Sequence, residues 1–274
     1  MNEAGSIPEN SYGILQQNPP GSTIDDAVEQ VQSLGYAVLD SSYSVAELQN
    51  ISDEFDRIHR QYIAMHGEDW LKSIDEYNTI RAPLTQGSSA FIKLAFNENL
   101  LQVLKRLIAG KFILNQQNGI INPPQQTYNQ GAWHRDLPYQ HFLSTTPLAV
   151  NALFCLDDFT IENGATFVLP ASHKSAAFPS GPFVKRNALQ IQAQAGSFIL
   201  LDCMLFHAGG FNSTQRPRRA VNHVYNIPYF KQQINLPANM NGVELSPQES
   251  EFLGYHYLEP VSVAGYLSSR GPKK

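Results

Sequence analysis

The hydrophobic period of this chain changes once, near residue 111, and that change restricts its fold more than any other feature. Upstream, apolar residues recur at helical spacing. In TIDDAVEQVQSLG (23–35), Ile24, Ala27, Val28, Val31 and Leu34 fall on one face, with Thr23 the expected N-cap and Gly35 the stop. SVAELQNISDEFDRIHRQYIAMHG (44–67) opens on a capping box, Ser44 with Glu47, and ENLLQVLKRLIA (98–109) runs up to Gly110. YAVLD (36–40) reads as a short strand, and residues 68–92 as loop. Downstream the segments are short, rich in Val, Ile and Phe, and punctuated by Gly, Pro and Asn: 111–122, 148–159, 166–170, 189–202 and 218–230. ALQIQAQ (188–194) alternates as a half-buried antiparallel strand does. Helices first and many short strands after predict a mainly β fold with flanking N-terminal helices. A β-sandwich or jelly roll fits, and the mouth of such a fold holds a ligand.

The same change of period divides the chain. Residues 1–22 are polar and read as an arm, and 23–274 as one domain. That domain has a helical part (23–110), a β core (111–235) and a C-terminal extension (236–274). A formal charge of −5, with no long basic run, excludes a nucleic-acid partner. No apolar run is long enough to insert in a bilayer or to act as a signal peptide, so the cytoplasm is the expected location. Cys155 and Cys203 sit in apolar strands and read as buried thiols of a reducing compartment.

The chemistry concentrates in WHRDLPYQH (133–141). Residues two apart on an extended segment point the same way, so His134 and Asp136 project together and Arg135 points opposite. One imidazole and one carboxylate on one face are two ligands of an iron(II) facial triad. The third must come from a distant strand, and His207 is the candidate: it ends the apolar run GSFILLDCMLF just before Gly209-Gly210. Arg218, eleven residues on, could grip a carboxylate with two prongs. Such a set suits iron(II) with 2-oxoglutarate, the keto acid chelating the metal while Arg218 holds its C5 carboxylate.

Other residues carry weaker expectations. His141 reads as a rival ligand or a substrate-side group, and Trp133 as a wall of the site or core filler. Arg81, Lys93 and Arg135 read as contacts to an anionic substrate or as surface charge. His173 and His223 are expected to be structural, and His59, His66 and His256 to face solvent. No Gly-x-Ser-x-Gly elbow supports a serine hydrolase.

In order and spacing over residues 25–235, His134-x-Asp136, NGATFVLPASHK (163–174), His207 and Arg218 resemble the phytanoyl-CoA dioxygenase family. The resemblance implies a double-stranded β-helix of cupin-like form. It also implies iron(II) on His134, Asp136 and His207, 2-oxoglutarate on Arg218, and dioxygen as second co-substrate. Amides of the preceding strand, Asn118 and Asn122, are then expected to assist the oxoglutarate. The family often has a hydroxyl two residues after the distal histidine. Here that residue is Gly209, so Thr166 is the expected substitute. Asp136 stands where related halogenases carry a small residue, which favours oxygenation. The substrate is expected to be a small molecule, a sugar derivative, acyl conjugate or secondary metabolite. Its pocket is expected between the helices at 23–34 and 44–66, the loop 68–92 and the segment 173–190, with Phe178, Phe183, Lys174, Lys185 and Arg186 in the last. A zinc hydrolase, or a cupin-like protein that binds without turnover, is the alternative on the same barrel.

Overall fold

The computed structural model describes residues 7–8, 10–19, 21–137, 143–240 and 242–271. Its elements run α1 (Thr23–Leu34), β1 (Tyr36–Asp40), α2 (Val45–His66), α3 (Glu68–Ser73), β2 (Thr79–Arg81), α4 (Ser89–Ala95), α5 (Glu98–Leu107) and β3 (Ile113–Asn122). They continue with β4 (Ala149–Cys155), β5 (Phe167–Val168), α6 (Gly181–Asn187), β6 (Leu189–Gln190), β7 (Ser197–Asp202), β8 (His207–Ala208) and β9 (Arg218–Asn226). Three short helices close the chain: α7 (Leu236–Asn239), α8 (Pro247–Phe252) and α9 (Val263–Ser269).

Helix starts are set by side-chain caps. Ser44 and Glu47 form the expected capping box of α2. The box of α1 is Ser22 with Asp25, so Ser22 and not Thr23 is its N-cap. Gly35 ends α1 in a left-handed conformation, φ 86°, and a Cβ there would meet His173 Nδ1 at 2.6 Å. The stretch 68–92 is not a plain loop, because it holds α3, β2 and α4. Those pieces are too short to show a period and are held by buried Leu71, Phe91 and Leu94. ALQIQAQ pairs over Leu189–Gln190 and bridges at Ala193, a shorter strand than its alternation predicts. Of the arm expected over 1–22, the described residues are exposed, with Asn18 donating to Glu29 at 3.0 Å.

Among the described residues the strands form two antiparallel sheets. The larger has the order β1-β7-β4-β9-β3-β2 and the smaller β6-β5-β8, and a bridge between His134 and His207 adds an edge to the smaller. Alternate residues of the larger sheet face different cores. Val150, Ala152, Phe154, Phe198, Leu200, Val221 and Tyr225 pack under α1, α2, α4 and α5. Cys155, Ile199, Leu201 and Ala220 point the other way, toward Phe159, Val168 and Leu205. A strand covered on both faces reads as a continuous apolar run, which is why SFILLD shows no alternation. Among the described residues no helix is long and apolar enough to cross a membrane.

Candidate active site

The site is built where segment 128–136 lies antiparallel to segment 203–209. His134 and His207 exchange backbone hydrogen bonds of 3.0 and 3.1 Å, Asp136 N–H donates to Cys203 O at 3.1 Å, and Gly209 N–H donates to Gln130 O at 2.7 Å. This pairing brings His134, Asp136 and His207 together, with one ligand atom from each lying within 4.8 Å of the others. The Nε2 atoms of His134 and His207 stand 3.9 and 3.7 Å from Asp136 Oδ1.

Each imidazole is oriented by its own backbone. His134 Nδ1 faces Ala132 O at 2.8 Å and His207 Nδ1 faces Leu205 O at 3.0 Å. A carbonyl can only accept, so both rings carry the proton on Nδ1 and leave Nε2 free to ligate. Burial pushes the His207 imidazole below its ordinary pKa, against the pull of Asp136, which keeps it neutral. Asp136 Oδ2 accepts from Asn151 Nδ2 at 2.8 Å, leaving Oδ1 turned toward the histidines. Two neutral imidazole nitrogens and one carboxylate oxygen fit a divalent iron or zinc ion.

All three side chains line a cavity of about 310 Å³ between the two sheets, and Arg218 lines it from β9. Arg218 is 3% exposed, and its guanidinium lies over the Phe159 ring at 3.9 Å. It donates from Nη2 to the Tyr128 hydroxyl at 3.4 Å, while Nε and Nη1 have no partner among the described residues. Burial lowers its pKa. The neighbouring Arg219 points to the other face, where it pairs with Asp157 at 2.8 Å and Asp56 at 2.9 Å.

The remaining sequence expectations divide. Asn118 and Thr166 line the cavity, and both are buried. Asn122 does not line it; its Nδ2 donates to backbone carbonyls of a neighbouring loop and turn, Gly210 O at 2.9 Å among them. Arg81 lines the rim but is paired with Glu76. Lys93 lies exposed on α4, outside the cavity wall. Arg135 lines the cavity, but its guanidinium is engaged by backbone. It donates to the carbonyls of Met204, Ser172, Ser175 and Ala176, and so ties the triad segment to residues 172–176. Trp133 is half-buried, 6.1 Å from Phe178 between ring centroids, and does not line the cavity. His141 lies outside the described residues. His59 is half-buried against Tyr77, not in open solvent. Tyr128 and Asn151 escaped the sequence reading. Neither sits in a motif, and only the cross-chain register brings them to the site.

The donor set and its buried arginine agree with what the comparisons with known proteins show, an iron- and 2-oxoglutarate-dependent dioxygenase. Within that class the chain belongs to the phytanoyl-CoA dioxygenase (PhyH) family, which residues 31–220 match. It is 31% identical over 219 residues to the "Uncharacterized protein Rv1501" of Mycobacterium tuberculosis, covering 78% of this chain and 79% of the relative. It is 33% identical over 131 residues to the dioxygenase af480 of Aspergillus fumigatus, covering 46% of this chain and 42% of the relative. Its fold is similar to that of the epimerase SnoN solved with Fe3+, alpha-ketoglutarate and nogalamycin RO. That likeness has a TM-score of 0.58 at 17% identity and covers 82% of this chain and 92% of the other.

Proposed function

We propose that the protein hydroxylates an unactivated C–H bond of a small molecule, on a double-stranded β-helix whose two sheets enclose the site. In this reading iron(II) is held by His134, Asp136 and His207, and 2-oxoglutarate is clamped by Arg218, with Asn118 and Thr166 beside it. The observation that carries the reading is the buried guanidinium. A charge taken out of water costs several kcal/mol unless an opposite charge meets it, and no carboxylate of the described residues pairs with Arg218. A dicarboxylic co-substrate completes the site, with one end at Arg218 and the other at the metal. A zinc hydrolase would have no use for that second anion site.

When bound with 2-oxoglutarate, iron supplies the activation of dioxygen that converts the co-substrate to succinate and carbon dioxide and hydroxylates the substrate. The chain's own part is orientation. Ala132 O and Leu205 O hold the imidazole tautomers, Asn151 turns Asp136, and Leu153, Leu201 and Ala220 give the cavity an apolar wall. The rest of the lining is rich in amides, Gln116, Gln130, Asn222 and Gln233 among them. They support a substrate with hydroxyl or carbonyl groups, such as a sugar derivative, acyl conjugate or secondary metabolite. Two buried free thiols, Cys155 and Cys203, suit a reducing compartment such as the cytoplasm.

Anaerobic addition of iron(II) and 2-oxoglutarate should produce a weak visible charge-transfer band, and admitting air should release succinate. Alanine at His134, Asp136 or His207 should abolish both. Activity supported by zinc, without air or oxoglutarate, would overturn this reading in favour of a hydrolase.

A further inference from the structure

Tyr128 and Gly209 occupy one space between them. The pairing that joins Gly209 N–H to Gln130 O sets the phenol directly over Gly209. A Cβ on residue 209 would lie 2.0 Å from the Tyr128 hydroxyl oxygen and 2.8 Å from Cζ. Only a glycine lets the ring reach this point. There the hydroxyl oxygen accepts from Arg218 Nη2 at 3.4 Å, and its own proton has no acceptor among the described residues. Tyr128, Arg218 and Thr166 line the same cavity.

We propose that Tyr128 is a carboxylate-binding residue. Its hydroxyl donates to the anion that Arg218 grips, from the position a side chain at residue 209 would otherwise fill. The proposal rests on the reading of Arg218 as the clamp for the C5 carboxylate of 2-oxoglutarate, and gives Tyr128 the role that the sequence assigns to Thr166. A carboxylate offers about four acceptor sites, and one edge of the Arg218 guanidinium, Nη2 with its partnerless neighbour Nε or Nη1, satisfies two. The phenol supplies a third, charge-assisted bond from the flank. Being on the segment that leads into His134, it also makes co-substrate affinity depend on the strand pairing that forms the triad.

The test is calorimetric binding to manganese(II)-loaded protein, with 2-oxoglutarate and with 2-oxopentanoate, which lacks the C5 carboxylate. Tyr128→Phe should weaken 2-oxoglutarate about ten-fold or more. It should leave the affinities for manganese(II) and for 2-oxopentanoate unchanged. In Tyr128→Ala the hydroxyl is lost, and adding Gly209→Ser should recover a good part of the lost affinity, since the serine hydroxyl enters the vacated space. Equal weakening of both keto acids by Tyr128→Phe would make the ring mere packing and overturn the proposal. So would unchanged binding of 2-oxoglutarate while Arg218→Ala loses it, which leaves the clamp itself standing. If Arg218→Ala also binds as the parent does, the clamp falls and the Tyr128 role with it.

Discussion

Arg218 sets two free energies against each other, and the balance is measurable. Its guanidinium is 3% exposed and unpaired by any carboxylate among the described residues, a situation that costs several kcal/mol. Its compensations are the Phe159 ring at 3.9 Å, worth about 2 kcal/mol when desolvated, and one long hydrogen bond to Tyr128. Desolvation is the larger effect. Arg218→Met should therefore raise the melting temperature of the ligand-free protein by about 2 °C or more. The same change should weaken 2-oxoglutarate by roughly 30-fold to several thousand-fold. A lower melting temperature would mean that the ring contact outweighs desolvation. Residues of this kind are partly legible in sequence. His134 and Asp136 follow from the two-residue repeat of an extended segment, and Arg218 from its charge in an apolar strand. Asn122, which the family resemblance implies beside the oxoglutarate, does not line the cavity, and a position on a strand does not show how far along it the cavity extends. Tyr128 was invisible, because its role depends on what residue 209 lacks.

At the scale of elements, one buried network joins the strands to the helices and carries a pH dependence. Gln117 on β3 donates to Phe91 O at 2.8 Å, accepts from Leu84 N–H at 3.0 Å, and faces His223 Nε2 on β9 at 2.9 Å. The other His223 nitrogen faces Ala152 O on β4 at 3.1 Å. That nitrogen must donate, so Nε2 is bare and accepts from Gln117; a second proton would set two donors against each other. Burial accordingly pushes the His223 pKa from 6.5 to about 4. Between those values the unfolded chain binds more protons than the folded one, so stability is intact above pH 6.5 and lost as pH falls toward 4. The loss is about 3 kcal/mol in all. His223→Gln keeps the bonding pattern without the titration, so the stability gap between it and the parent should shift by that amount between pH 7 and pH 4 in urea melts. A gap that does not change with pH would exclude the mechanism. The sequence placed His223 correctly inside a strand but could not show its partners. The helices α1, α2 and α5 are readable because each carries a sustained helical period, and in α2 the capping box agrees with it. The pieces α3, β2 and α4 are not, being fixed by packing alone.

For the molecule as a whole, the sequence disclosed helices before strands but not the order β1-β7-β4-β9-β3-β2, nor that segment 134–136 would pair with β8. That order matters for stability. The sheets share a small apolar core around Phe159, Val168 and Leu205, and elsewhere a polar cavity of about 310 Å³ separates them. The triad stands on the smaller-sheet side of that cavity, and Arg218 on the larger sheet opposite. A metal and a dicarboxylate bound together would therefore fasten one sheet to the other, whereas the metal alone would join only residues of paired segments. Ligand at about a hundred times its dissociation constant stabilises the folded state by about 2.7 kcal/mol. That corresponds to roughly 5–10 °C for a domain near this size. Manganese(II) with 2-oxoglutarate should raise the melting temperature by that amount over manganese(II) alone, and 2-oxoglutarate without metal should add little. Arg218→Ala should remove the oxoglutarate increment and keep that of the metal. A zinc hydrolase on the same barrel would respond to its metal and ignore 2-oxoglutarate, so a melting curve indifferent to the keto acid at saturating metal would reject the bridged site.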